Sequence, residues 1–143
     1  VESIVHKGRK LPNVSPLVDI NFLAEMETFI LTAGHDLEKL RKPIFIDISK
    51  EGDTITQMNG ASKPIRAGDM IMRDANGVSC SILYGQDNRS FISPETSHVL
   101  YVAYVPEGIP EEFAMAQLEK IEAYIRLFSP NAVLEQKRLV KAK

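Results

Sequence analysis

The chain has 143 residues, 44% of them hydrophobic and 25% charged, with a formal net charge of −2. These values fit one ordinary globular domain whose core needs neither disulfide nor metal, and they exclude wholesale disorder. Seventeen basic residues against nineteen acidic ones exclude a uniformly basic nucleic-acid platform, though not a local patch.

Taken in chain order, Val1 to Lys7 reads as the last turns of a helix, with Gly8 as its stop. The basic cluster from His6 to Lys10 reads as a solvated segment. Ser15-Pro16 is a helix start, because Ser caps and Pro fits the first turn. Val18, Phe22, Met26, Phe29 and Ile30 then recur at helical spacing, and Gly34 is placed to end that helix. His35 to Leu40 reads as a tight turn or a single helical turn. The pattern then becomes extended. Ile44–Ile48, Thr54–Met58, Met70–Arg73, Val78–Tyr84 and His98–Val105 read as strands, separated by turns at Gly52-Asp53, Asn59-Gly60, Gly68-Asp69 and Asp74–Gly77. Gly85–Arg89 is a polar loop. After the loop Pro106–Pro110, an apolar stripe of Ala114, Leu118, Ile121, Ile125 and Phe128 marks a helix that Ser129-Pro130 stops. Val133–Val140 is ambiguous, and Lys137, Arg138, Lys141 and Lys143 read as a solvated basic tail. Helix, about six short strands joined by tight turns, and helix make an α+β fold with antiparallel pairing.

The strong catalytic signatures are missing: there is no phosphate-binding loop, no dinucleotide fingerprint, no zincin motif and no nucleophile elbow. Three dispersed histidines and one cysteine predict no metal site, and no cofactor motif is present. Cys80 lies in an apolar stretch and reads as a buried structural thiol. The run Val99–Val105 is far short of the roughly 20 residues of a membrane helix, so no membrane partner is expected. With no leader visible, Asn13 and Asn88 are read as chance glycosylation patterns, and the expected compartment is a reduced cytoplasm.

Two groups of polar residues are candidates for chemistry. Asp19 and Asn21 lie in the first helix, with His35 and Asp36 beyond it; His35-Asp36 is either an acid–base element or a hydrogen-bonded corner. Asp36 reads more readily as a turn or cap residue before Leu37, and Asp19 as a buried acceptor. The second group, Gln86, Asp87, Asn88 and Arg89, packs polar side chains into a loop held by strands, where function is often carried. The plainer reading there is a solvated tip with an Asp87–Arg89 contact.

Several segments resemble a known family. Leu17–Asn21, followed by Gly34–Leu40, resembles the start of the B3/B4 domain, the editing domain of the phenylalanyl-tRNA synthetase β subunit, which also occurs in freestanding proteins. Ile65–Asp74, Ser81–Arg89 and Ile92–Thr96 follow in the family's order, so the likeness runs over roughly residues 9 to 135. The resemblance implies a single B3/B4-like domain over 1–143, antiparallel sheets flanked by helices, with a helical segment ahead of Val1. It also implies association with aminoacyl-tRNA. In the synthetase the domain hydrolyses tyrosine misattached to the phenylalanine tRNA, by placing a water near the aminoacyl carbonyl. Asp19, Gly34 and Asp36 match the family pattern. The chain departs from it at Asn21-Phe22, at Ala33 where the synthetase has a histidine, and at Tyr101 where the synthetase has the glutamate that recognises the tyrosine hydroxyl.

The resulting expectation is a freestanding deacylase acting on a mischarged aminoacyl-tRNA. His35 and Asn21 are the expected catalytic residues, with His35 placing the water. Asp19, Asp36, Gln86, Asp87, Arg89 and Tyr101 are the expected substrate contacts, with Arg89 near a phosphate or carboxylate. The alternatives are a binding module that holds a free amino acid or a tRNA end without chemistry, and an interaction domain built on the last helix.

Overall fold

The computed structural model describes residues 15–141; the expected helix end at Val1–Lys7, its Gly8 stop and the basic cluster at 6–10 lie outside them. The described chain divides into two compact units, one built from the chain up to Thr32 and from Tyr101 onward, the other from Ala33–Leu100. With two helices and mainly antiparallel ladders it is an α+β structure.

The first unit rests on helices α1 (Pro16–Thr28) and α2 (Glu111–Phe128). Ser15 caps α1 as its residue type predicts, its hydroxyl accepting the Val18 N–H at 3.3 Å. The helix ends earlier than expected. Phe29 takes a left-handed conformation (φ 59°) and its N–H returns to Glu25 O. Gly34, the expected stop, lies inside strand β1 (Leu31–Asp36). The reason is tertiary. The Glu25 carboxylate accepts the Thr32 N–H at 2.7 Å, and the Thr28 hydroxyl accepts that of Ile30, so polar groups of the last turn take up the chain as it leaves. Ile20, Ala24 and Ile121 form the core of this unit, with Tyr101, Tyr124 and Ile125 against them. Of the stripe predicted for the last helix, Ala114 and Ile121 are buried and Ile125 packs against the core, while Phe128 is exposed. Among the described residues no regular element follows Phe128; Lys137 pairs with Glu122 at 2.8 Å and Lys141 with Glu111, so two cations of the expected solvated tail are ion-paired.

The second unit holds a four-stranded sheet in the order β2 (Phe45–Ile48), β5 (Met70–Asp74), β6 (Gly77–Ser81), β7 (Gly85–Gln86), and a hairpin of β3 (Thr54–Thr56) and β4 (Ser62–Pro64). Strand β8 (Val99–Tyr104), like β1, runs across the boundary between the units. Ile55, Ile65, Ile71 and Val78, with Tyr84, form the core of the second unit. The expected strand 78–84 is shorter. Asp69 accepts the Ser81 hydroxyl and the Leu83 N–H, and Ser81 Oγ accepts the Tyr84 N–H, which folds the chain into a turn before β7. The β5–β6 register slips between Met72 and Arg73, leaving Ser79 as the extra residue of a bulge.

Candidate functional site

The bulge helps to build the site. The carbonyl of Ser79 receives the Asp87 N–H at 2.9 Å, and the next amide, Asn88 N–H, goes to Thr56 O at 3.0 Å. The loop after β7 is thereby fastened to β6 and β3. It is not a solvated tip: Asp87 is 1% exposed and Ser90 fully buried. The expected Asp87–Arg89 contact is present as an ion pair at 2.9 Å.

Ser90 is the hub of the cluster. Its N–H and its hydroxyl both reach Asp87 Oδ1, at 3.0 and 2.7 Å. Its carbonyl accepts the Asp36 N–H at 2.9 Å and Gln86 Nε2 at 3.2 Å. Its Oγ lies 2.8 Å from His35 Nδ1. His35 is fully buried, and its Nε2 has no hydrogen-bond partner among the described residues. Burial pushes the His35 pKa down to about 4, against the opposing influence of Asp87 and Asp74. The ring is therefore neutral at pH 7. His35, Gln86, Asp87 and Arg89 thus converge through Ser90, a residue the sequence reading did not single out.

The Arg89 guanidinium, about one third exposed, is shared between Asp87 and the buried Asp74, 3.3 Å away. Burial alone would raise the Asp74 pKa. The Arg41 and Asn76 amides and Arg89 outweigh it and hold the carboxyl below its ordinary value. An open cleft of about 360 Å³ runs beside this pair, lined among others by Asp53, Thr54, Thr56, Arg73, Asn76 and Arg89. Its second guanidinium, Arg73, is likewise held by Asp53 at 2.9 Å and Asp47 at 3.1 Å. Four carboxylates thus neutralise two arginines, so the cleft is polar without being a cationic clamp.

Asp36 does what a cap residue does. It accepts the Glu38 N–H at 3.1 Å at the start of a short 3-10 turn, and the Thr96 hydroxyl at 2.8 Å. Asp19, Asn21 and Tyr101 belong to the other unit. Asn21 Nδ2 donates to Thr32 O at 2.8 Å, while Asn21 Oδ1 and Asp19 Oδ1 are buried without a hydrogen-bond partner among the described residues. The Tyr101 hydroxyl donates to Leu17 O at 2.6 Å, and burial raises its pKa. Among the described residues no group of three His, Cys, Asp or Glu side chains is arranged to hold a metal ion. No helix among them is long and apolar enough to cross a membrane.

Comparison with known proteins identifies the family of the chain. No curated protein matches the chain. Among solved structures, it is similar to an N-terminal fragment of the phenylalanyl-tRNA synthetase β subunit from Pyrococcus horikoshii, with a TM-score of 0.63 at 12% identity over 76% of this chain. At that identity the likeness concerns the fold, and the match spans 38% of the archaeal chain. The B3/4 domain model matches residues 2–116, most of the chain, which therefore belongs to the B3/4 domain family.

Proposed function

We propose that this chain acts on aminoacyl-tRNA, as a freestanding B3/4 protein that hydrolyses the ester of a mischarged tRNA. The observation that carries this reading is His35: a neutral, enclosed imidazole with one ring nitrogen anchored by Ser90 and the other without a partner among the described residues. A neutral imidazole is what ester hydrolysis requires of a group that orients a water or takes its proton. Membership of the B3/4 family supports the substrate class. A panel of mischarged tRNAs tests it. Turnover of at least one above buffer hydrolysis, lowered in His35→Ala, is expected; no turnover of any would overturn the reading.

A second reading, a binding module for an amino acid or a tRNA end, is favoured by a different observation. Asn21, Asp36 and Tyr101 each have hydrogen bonds within the protein, and both cleft arginines are occupied by the protein's own carboxylates. Thermal unfolding with free amino acids or with intact tRNA distinguishes the two. A ligand at 100 times its Kd stabilises by about 2.7 kcal/mol. A shift with no deacylation supports the module.

A further inference from the structure

The hydrogens around His35 can be counted. The Ser90 hydroxyl carries one, and it sits 2.7 Å from an oxygen of Asp87, whose carboxylate is paired with Arg89. Two oxygens that close need a proton between them, and only the serine supplies it. The Ser90 hydrogen is thereby committed to Asp87. Gln86 Nε2 carries two, with carbonyl acceptors at Gly34 O (2.8 Å) and Ser90 O (3.2 Å). Both of its hydrogens are thereby committed, and its 3.1 Å approach to His35 Nδ1 brings none for the ring. The 2.8 Å contact between Nδ1 and Ser90 Oγ then has one consistent assignment: the imidazole donates. Nδ1 carries the hydrogen and Nε2 the bare lone pair.

We infer that Ser90 and Asp87 are positioning residues that lock His35 in the Nδ1–H tautomer, leaving Nε2 as the acceptor that the site offers to an O–H or N–H donor. The inference deepens the proposed hydrolytic reading in naming the acceptor atom, while the tautomer itself stands on the hydrogen count. Arg89 completes the chain by pairing with Asp87 at 2.9 Å. The order is guanidinium, carboxylate, hydroxyl, imidazole, each member oriented by the one before it. A buried acceptor with no donor carries a desolvation penalty, and such groups in native proteins call for a reason of this kind.

The chain also makes a prediction with a sign. If Asp87 is removed, the Ser90 hydrogen is released and turns to Nδ1, so the ring hydrogen moves to Nε2. Asparagine keeps an acceptor oxygen and keeps the tautomer. The test is two-bond proton–nitrogen correlation NMR of the imidazole in the ¹⁵N-labelled full chain at pH 7. The wild type and Asp87→Asn are expected to show a protonated Nδ1 and a pyridine-type Nε2. Asp87→Ala is expected to move the Nε2 signal into the pyrrole-type range. An Nε2–H form in the wild type overturns the inference without any variant having to fold. An unchanged tautomer in folded Asp87→Ala overturns the role given to Asp87. Neither readout depends on activity: an inactive protein with the Nδ1–H tautomer sinks the hydrolytic reading alone.

Discussion

His35 and Ser90 stand 55 positions apart in the chain, yet the imidazole Nδ1 of one lies 2.8 Å from the hydroxyl of the other. The contact ties the end of β1 to the loop after β7 and leaves a titratable group fully enclosed. Its consequences for stability are measurable.

The first concerns pH. The folded pKa of His35 is depressed to about 4, below its ordinary value of 6.5. Between those values the unfolded chain binds more protons, so stability rises with pH and is lost as pH falls from about 6.5 towards 4. The shift amounts to roughly 3 kcal/mol by pH 4. Urea unfolding of the wild type and His35→Asn at pH 7 and pH 4.5 isolates this contribution from that of the carboxylates. The wild type is expected to lose the more on acidification; equal losses would place the His35 pKa near its ordinary value.

Asp87 supports the same cluster. Alanine there leaves the Ser90 N–H without its acceptor and Arg89 with Asp74 alone. Leaving that buried donor unsatisfied is expected to destabilise by about 2 kcal/mol. Denaturant unfolding reads the loss directly, and Asp87→Asn, which keeps an acceptor oxygen, should lose less.

In the other unit Gln117 is fully buried, with its amide 2.7 Å from the Thr28 hydroxyl and 3.0 Å from that of Thr32. Gln117→Ala strands these groups and opens a void, so a loss of about 3 kcal/mol is expected. A midpoint within experimental error of the wild type would contradict the geometry.

Phe29 gives a prediction of the opposite sign. It occupies the left-handed C-cap of α1 at φ 59° and is 78% exposed. A side chain in that conformation costs about 1–2 kcal/mol, part of which glycine returns through its larger unfolded-state entropy. Phe29→Gly is expected to stabilise by roughly 0.5–1 kcal/mol in thermal or urea unfolding. A loss would mean that the ring makes a contact worth more than the strain.

Much of the fold was legible because its signals are local. Ser15-Pro16 opens α1 through a side chain three residues from its partner amide, and the apolar stripe of α2 repeats every third or fourth residue. The end of α1 was not legible, because Gly34 imitates a stop while the actual exit is set by Glu25 reaching Thr32. Strand β4 was missed for a related reason: Ser62, Lys63 and Pro64 are all exposed, so no alternation marks it. The site divides along the same line. Gln86, Asp87 and Arg89 were found as a polar loop between strands. Ser90 was not, since its value comes from His35, Asp36 and Asp87 meeting it in space. The burial of Asp87 depends on the Ser79 bulge, which no residue pattern announces.

The proposed hydrolysis needs a donor, a water or a substrate N–H or O–H, at the lone pair of His35 Nε2, which has no partner among the described residues. Crystal structures with a panel of non-hydrolysable aminoacyl-adenosine amides test this requirement. A water or a ligand N–H or O–H is expected within about 2.6–3.2 Å of Nε2, beside the aminoacyl carbonyl. An analogue bound elsewhere, with Nε2 still lacking a donor, would contradict it.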